Sequence, residues 1–339
     1  MTAGTAAVAV TGASGFIGSA VVRKLLEQGR EVRAIVEPGA GTTNLEGLDV
    51  ERITCDVTDF EGMKKALAGC ASLYHLAAVY KTWLKDPELI YRVNIEGTTT
   101  TLLAAQHAKI ARIVYTSSIA AIGTVPSGES DETTPFNLFD VANPYIMTKW
   151  LSERVALRFA ESGAPVVVVN PAFPFGPRDV APTPTGSIVL SLLDRKMPGV
   201  APGGFCSIDV DDCAAGHLLA EEKGKVGERY ILGHENVTLK QFFELVCRVA
   251  EIPVPRLPLP AGLGAGVALG MELWADHVTH KEPRATYRSV RYMQRSAFFS
   301  NAKAKRDLGL PTRPLEETVR RAVAWFRANP SAPTAGPVS

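Results

Sequence analysis

Short, wholly apolar runs alternate with stretches of helical period through the first half of the chain. The run AAVAV at 6–10 predicts a strand. Residues 15–29 follow with Ile17, Val21, Val22, Leu25 and Leu26 at helical spacing and Gly29 as a stop. Further strands are predicted at 31–36, 52–56, 72–78, 112–118 and 165–170, and further helices at 63–69, 87–108 and 143–162. Short apolar strands separated by helices imply a parallel sheet covered on both faces, an α/β fold. After Pro171 the rhythm changes. The proline- and glycine-rich stretch 171–186 reads as a structured loop, neither helix nor strand. Residues 207–222 read as a short strand and a helix, 229–233 as a strand, and 238–327 as mainly helical with loops at 253–260 and 309–314. The chain thus divides into a sheet domain at 1–170, rejoined by 205–235, and a smaller, mostly helical lobe from 171–204 and 236–328. The tail at 329–339 is expected to be disordered.

Composition narrows the class. The 339 residues are 46% hydrophobic and 21% charged with a net charge of +1, an ordinary globular balance that offers no bulk field for nucleic acid or an anionic membrane. The apolar stretch 259–275 is broken by glycines and carries Glu272. It falls short of a roughly 20-residue membrane span and predicts either a packed helix or a lip over an apolar substrate. No basic residue precedes the first apolar run, so that run is read as a strand and not as a signal peptide. Five scattered cysteines, with no CxxC pair, are expected as free thiols in a reducing, cytoplasmic setting. His277 and His280 lack a third ligand nearby, so no metal site is expected.

Chemistry enters at the first strand-to-helix junction. TGASGFIG places Gly12, Gly15 and Gly18 where a dinucleotide fingerprint belongs. Glycine permits the turn and the close approach of backbone to a pyrophosphate, and the helix N-terminus offers free N–H groups to the phosphates. The expected cofactor loop is therefore Gly12, Ser14, Gly15, Phe16, Ile17 and Gly18 of a Rossmann, doubly wound parallel sheet. Glu37, at the end of the second strand, is placed to accept the adenosine ribose hydroxyls and to repel a 2′-phosphate, which favours NAD(H). Arg33 keeps NADP(H) open. Asp56, followed by Val57, ends the third strand and is placed either to accept the adenine amino group or to cap a turn, for which Asp59 is the better candidate. Leu76, Ala77 and Ala78 lie at the carboxyl edge of the sheet, where backbone meets cofactor.

Tyr145 and Lys149 stand four apart at the start of a predicted helix, a pair that alone reads as a solvated face. In the series TGASGFIG, CDVTD, LYHLAA, YRVNIEGT, VYTSS, YIMTK and SIDVDDCAAGHLLA it reads otherwise. Over roughly the first 235 residues the chain resembles the extended short-chain dehydrogenase/reductase superfamily. It looks most like the dihydroflavonol-4-reductase-like branch; PTPTG, GERYILGHENVTLK and FFSNAKAKRDLG are similar to bacterial proteins labelled hopanoid-associated sugar epimerases. The resemblance implies a catalytic set of Ser118, Tyr145 and Lys149, with Ser117 as the fallback hydroxyl. It also implies a supporting Asn94, contact of Pro171 and Ala172 with the nicotinamide carboxamide, and a homodimer through the helices near 88–108 and 143–162. A lysine ammonium one turn from a phenol favours the phenolate and lowers a pKa of about 10.

The same set serves a reductase and an epimerase. A nucleotide-sugar enzyme needs cations for two phosphates. After the sixth strand the chain has VVVVNPAFPFGPRD, without an arginine at the sugar-enzyme spacing; Arg178, Arg195 and Lys196 remain as phosphate candidates. Tyr80, Trp83, Phe136, Phe139, Phe173, Phe175 and Phe205 are expected to form an aromatic pocket with Arg178 and Ser118. The sequence therefore points to an NAD(P)(H)-dependent reductase or dehydrogenase acting on a hydrophobic or aromatic small molecule. A UDP-sugar-type epimerase or dehydratase with retained NAD, or a non-catalytic dinucleotide sensor, stands as the alternative. No nucleic-acid partner and no integral membrane segment are expected.

Overall fold

The computed structural model describes residues 6–330, apart from 82, 198, 256, 258 and 284 and the side chain of 261; most of the tail expected to be disordered lies outside these residues. In chain order the strands are β1 (Val8–Thr11), β2 (Val32–Val36), β3 (Glu51–Thr54), β4 (Ser72–His75), β5 (Arg112–Thr116), β6 (Val166–Pro171), β7 (Phe173–Phe175), β8 (Gly204–Asp209), β9 (Arg229–Leu232), β10 (Asn236–Thr238) and β11 (Ser296–Ala297). The helices are α1 (Phe16–Glu27), α2 (Phe60–Leu67), α3 (Glu88–Tyr91), α4 (Gly97–His107), α5 (Pro144–Glu161), α6 (Pro184–Leu193), α7 (Val210–Lys223), α8 (Leu239–Ala250), α9 (Ala261–Trp274), α10 (Tyr287–Gln294), α11 (Ala302–Leu308) and α12 (Leu315–Ala328).

Seven strands form a parallel sheet in the order β3-β2-β1-β4-β5-β6-β9. Alternation along each strand feeds two cores. Val8, Val10, Val167 and Val169 point into one, which holds α1 and α7. Ala9, Val166 and Val168 point into the other, with α2, α4 and α5. The order reverses between β1 and β4, which opens the crevice at the carboxyl edge where dinucleotides bind in this class of sheet. A second, smaller sheet joins β8 to β7, β10 and β11. It packs under Phe175, Phe205, Phe242 and Phe326 with α6, α8 and α12.

Three expectations need correction. The strand foreseen at 72–78 stops at His75, because Thr11 Oγ1 accepts the backbone N–H groups of Leu76 and Ala77 (both 3.2 Å) and bends the chain into the crevice. The single helix foreseen at 87–108 is interrupted by a π-helical turn, Arg92–Glu96. The stretch 171–186 is not only loop. Phe173–Phe175 pair with Ser207–Asp209 of β8, and α6 starts at Pro184 with Thr183 as its N-cap. Those partners lie far along the chain, so local proline and glycine content hid them.

Candidate active site

The glycine loop leaves β1 with Gly12 at φ +65, and a Cβ there would lie 2.8 Å from the backbone nitrogen of Ala77. At Gly18 a Cβ would come within 2.0 Å of the Gly12 carbonyl oxygen. Neither position accepts a side chain without moving backbone, so the loop, the segment after β4 and the first turn of α1 stay in contact. Gly15 is the N-cap of α1 and provides no side-chain cap, which leaves the N-terminal N–H groups of that helix facing the crevice. Asn44 donates to the Ser14 carbonyl (3.2 Å) and fixes the outer side of the loop. These features fit a dinucleotide pyrophosphate.

A cavity of about 460 Å³ runs from this loop across the carboxyl edge of the sheet. At the end nearer the loop it is lined by Gly12, Ser14, Gly15, Phe16, Ile17, Gly18, Glu37, Asp56 and Val57. Leu76, Ala77 and Ala78 form one side; Ser118, Tyr145, Lys149, Pro171 and Ala172 line the middle. Asp56 also accepts from Thr58 N and Oγ1 (both 2.8 Å), and Asp59 caps α2. Arg33 does not line the cavity. Its guanidinium bonds Glu51 (2.6 Å) and the carbonyls of Ala66 and Ala68.

The sequence builds the middle from caps. Asn143 accepts from Ile146 N (2.9 Å) and Pro144 occupies the first turn, so α5 starts where Tyr145 enters the cavity. Ser118 caps the short turn Ile119–Ala121 beside the Tyr145 phenol. Burial holds that phenol above its ordinary range, and the nearby Ser118 hydroxyl opposes the shift only in part. This differs from the expectation of a phenol lowered by its lysine. The Lys149 ammonium is buried and donates to the Thr116 carbonyl (2.9 Å); burial pulls it down to about 8, with Glu153 resisting. His75 is wholly enclosed between Thr11 Oγ1 (2.8 Å) and Thr98 Oγ1 (3.3 Å), and burial pushes it down to about 3. It is a neutral structural residue.

Asn94 sits in the π-helical turn and does not line the cavity. Its amide oxygen accepts from Val79 N (2.7 Å), and its amide nitrogen donates to Val79 O and to Thr148 Oγ1 (both 2.9 Å). It clamps the segment after β4 to α5 between Tyr145 and Lys149. On the other side of α5, Asn170 donates to the Ser118 carbonyl (2.9 Å) and to Glu153 (2.5 Å), which also pairs with Arg229 (2.6 Å). Nothing in the local sequence distinguishes Asn170, Glu153 or Arg229, because their partners lie far apart in the chain.

At the far end the cavity is lined by Tyr80, Phe173, residues 179–181 and 183–185, Ser289, Tyr292 and Met293. Several expected pocket residues are elsewhere. Phe175 and Phe205 are buried in the core of the second lobe. Phe136 and Phe139 pack on Trp150. Trp83 donates to Asp276 (2.8 Å) and does not line the cavity, and Arg178 is paired with Asp211. Two residues there had no sequence signal. Asp179 is buried against Thr183 and pushed up to about 6. Tyr292 is 8% exposed, and its phenol oxygen has no hydrogen-bond partner among the described residues.

The profile of the NAD dependent epimerase/dehydratase family matches residues 8–233. The chain is 38% identical over 327 residues to a protein of Synechocystis named as a dihydroflavonol 4-reductase, covering 94% of each. It is 34% identical over 319 residues to sterol demethylase protein B of Methylococcus capsulatus, covering 94% of this chain and 97% of that one. The crystal structure of gox2253 superposes with a TM-score of 0.85 at 39% identity, covering 96% of this chain and 99% of that chain. A UDP-glucose 4-epimerase of Thermus thermophilus solved with NAD has a TM-score of 0.75 at 24% identity over 95% of this chain and 99% of its own, a likeness of fold.

Proposed function

We propose, for a chain that belongs to the NAD dependent epimerase/dehydratase family, that it is a reductase moving hydride between NAD(H) and a ketone or secondary alcohol on a largely apolar small molecule. The chain is an oxidoreductase of the extended short-chain dehydrogenase/reductase type. One observation carries the choice of reductase over nucleotide-sugar epimerase. Ser118, Tyr145 and Lys149 line a cavity whose only cation, among its described lining residues, is Lys149. A nucleotide sugar brings two phosphates that need cationic partners. Arg178, the nearest candidate by sequence, is already paired with Asp211. The relatives named for a flavonoid reductase and a sterol demethylase point the same way.

NADH, when bound, supplies the hydride. Tyr145 gives its proton to the carbonyl oxygen as negative charge develops there, and the raised affinity of this phenol for its proton keeps the donor loaded. The Ser118 hydroxyl, fixed by its cap on Ala120 N (3.1 Å), orients the same oxygen. The Lys149 ammonium, anchored on Thr116, stabilises the phenolate left behind. Apolar walls exclude water and admit a substrate without phosphates. Glu37 in the cavity wall, with Arg33 engaged elsewhere, supports NAD over NADP.

The test is NADH and NADPH oxidation by purified protein over a panel of aromatic, steroid-like and sugar ketones. Turnover of apolar ketones with NADH is expected. Tightly bound NAD in the purified protein, with UDP-sugar interconversion and no added cofactor, would overturn the proposal in favour of the epimerase.

A further inference from the structure

α9 is inside out. Its inward stripe is small: Ala265 is 6% exposed, Ala268 2%, and Ala275 just beyond the helix 2%. Its largest apolar side chains face water instead. Leu263, Val267, Met271 and Trp274, at successive steps of four, four and three, are 58%, 50%, 40% and 61% exposed. Leu269 and Leu273 flank that stripe, also exposed. A helix of a water-soluble surface shows the opposite arrangement. The one charged residue of the helix, Glu272, is turned inward and accepts from Tyr287 N (2.8 Å) at the start of α10, which leaves the outer face without charge.

The segment that follows is basic. From 277 to 295 the sequence carries Lys281, Arg284, Arg288, Arg291 and Arg295 against the single acid Glu282; Arg295 is paired with Asp140, which leaves the other four as the excess. The whole-chain charge of +1 conceals this local excess. The acids nearby are engaged within the protein: Asp276 with Trp83, and Glu282 with Lys81 (3.5 Å). Lys281, Arg288 and Arg291 are exposed. An apolar face ending in tryptophan and followed by cations matches an interfacial helix lying on anionic lipid headgroups. At 14 residues it is too short to cross a bilayer, and no described helix is long and apolar enough to do so. Two copies meeting through this face would bring like-charged segments together, which a lipid surface avoids.

We infer that the α9 face docks the protein on an anionic lipid surface. α9 packs on α10, which carries Ser289, Tyr292 and Met293 of the cavity wall. Docking therefore sets the far end of the cavity near the bilayer. The inference does not depend on the reaction catalysed, since its test reads lipid association alone.

Full-length protein is floated with vesicles of phosphatidylcholine and with mixed phosphatidylcholine–phosphatidylglycerol vesicles. Association with the mixed vesicles is expected to exceed that with phosphatidylcholine alone and to weaken at high salt. The pair Leu263→Ser and Trp274→Ser should lower association about tenfold or more, with an unchanged melting temperature as evidence of folding. A second variant, Lys281→Glu with Arg291→Glu, should remove the preference for phosphatidylglycerol and keep the weak binding to phosphatidylcholine. No flotation with either vesicle would overturn the inference. So would a soluble dimer that the Leu263→Ser and Trp274→Ser pair splits, because a second copy, packed through Gly262, Gly266 and Gly270, would then own the face.

Discussion

Lys149→Met should make this protein inactive and more stable. Lys149 is 5% exposed, and burial draws its pKa from the ordinary 10.5 to about 8. At about 1.36 kcal/mol for each pH unit, holding the charged form inside costs about 3 kcal/mol at neutral pH. Methionine keeps the stem and removes the charge. It also removes the bond to the Thr116 carbonyl, worth about 1–2 kcal/mol once the stranded acceptor is counted. The net gain is about 1–2 kcal/mol near pH 7, or about 2 °C in melting temperature for a chain this long. The sign of the pH dependence is the stronger check. A base whose folded pKa is depressed carries its penalty in full below that pKa and sheds it as pH rises towards the unfolded value. Between about pH 7 and pH 9.5 the wild type should therefore recover about 2 kcal/mol relative to the variant. Urea unfolding of both proteins across that range measures it, without cofactor. A variant less stable at pH 7, by a margin that does not move with pH, would refute the reasoning.

Other expectations follow from the same geometry. Tyr145→Phe should lower kcat by about 10² to 10⁴ with NADH affinity intact by fluorescence titration; full activity would remove Tyr145 from the mechanism. Glu37→Arg should move the kcat/KM preference towards NADPH, and an unchanged ratio would exclude Glu37 from the cofactor site. Tyr292→Phe takes away a buried phenol oxygen that has no hydrogen-bond partner among the described residues, so the fold should be unaffected while KM rises about tenfold if that oxygen meets substrate. Arg229→Met strands the buried Glu153 carboxylate and should cost about 3 kcal/mol in urea unfolding, and adding Glu153→Gln should restore most of it.

Parallel strands buried on both faces announce themselves as apolar runs, which is why β1, β2, β5 and β6 were legible within a residue or two. The glycine loop was legible because its three glycines keep a fixed spacing at the first strand-to-helix junction; a Cβ at Gly12 or Gly18 would meet backbone, and at Gly12 that backbone belongs to the distant Ala77. Legibility failed where a decision depended on distant chain. Phe173 lines the cavity while Phe175, two residues on, is core, although both lie on β7 and face the same side in the sequence pattern. Both touch Phe205 of β8, and Phe175 also packs on Phe242 of α8, which closes the later residue into the core. Arg178 read as a free cation until Asp211 was folded against it. The π-helical turn at Arg92–Glu96 has no composition of its own; Asn94 is held there by Val79 and Thr148, and neither partner is visible from the helix that contains it. The tyrosine–lysine spacing named the pair, and the tertiary fold decided what each feels: a phenol raised by burial and an ammonium parked on Thr116.

The sheet order has a consequence for synthesis. β6 carries four consecutive valines, Val166, Val167, Val168 and Val169, all at 0% exposure, and its outer edge is covered by β9. The ribosome delivers β9 roughly 60 residues after β6, a delay of about 3–12 s at bacterial or eukaryotic elongation rates. During that interval a folded N-terminal half would present a bare valine edge, the kind of template that recruits another chain. A nascent or truncated polypeptide ending before Arg229 should aggregate, whereas one extended past Leu232 closes its own sheet. Chaperone demand for this protein is therefore set by the distance between two neighbouring strands along the message.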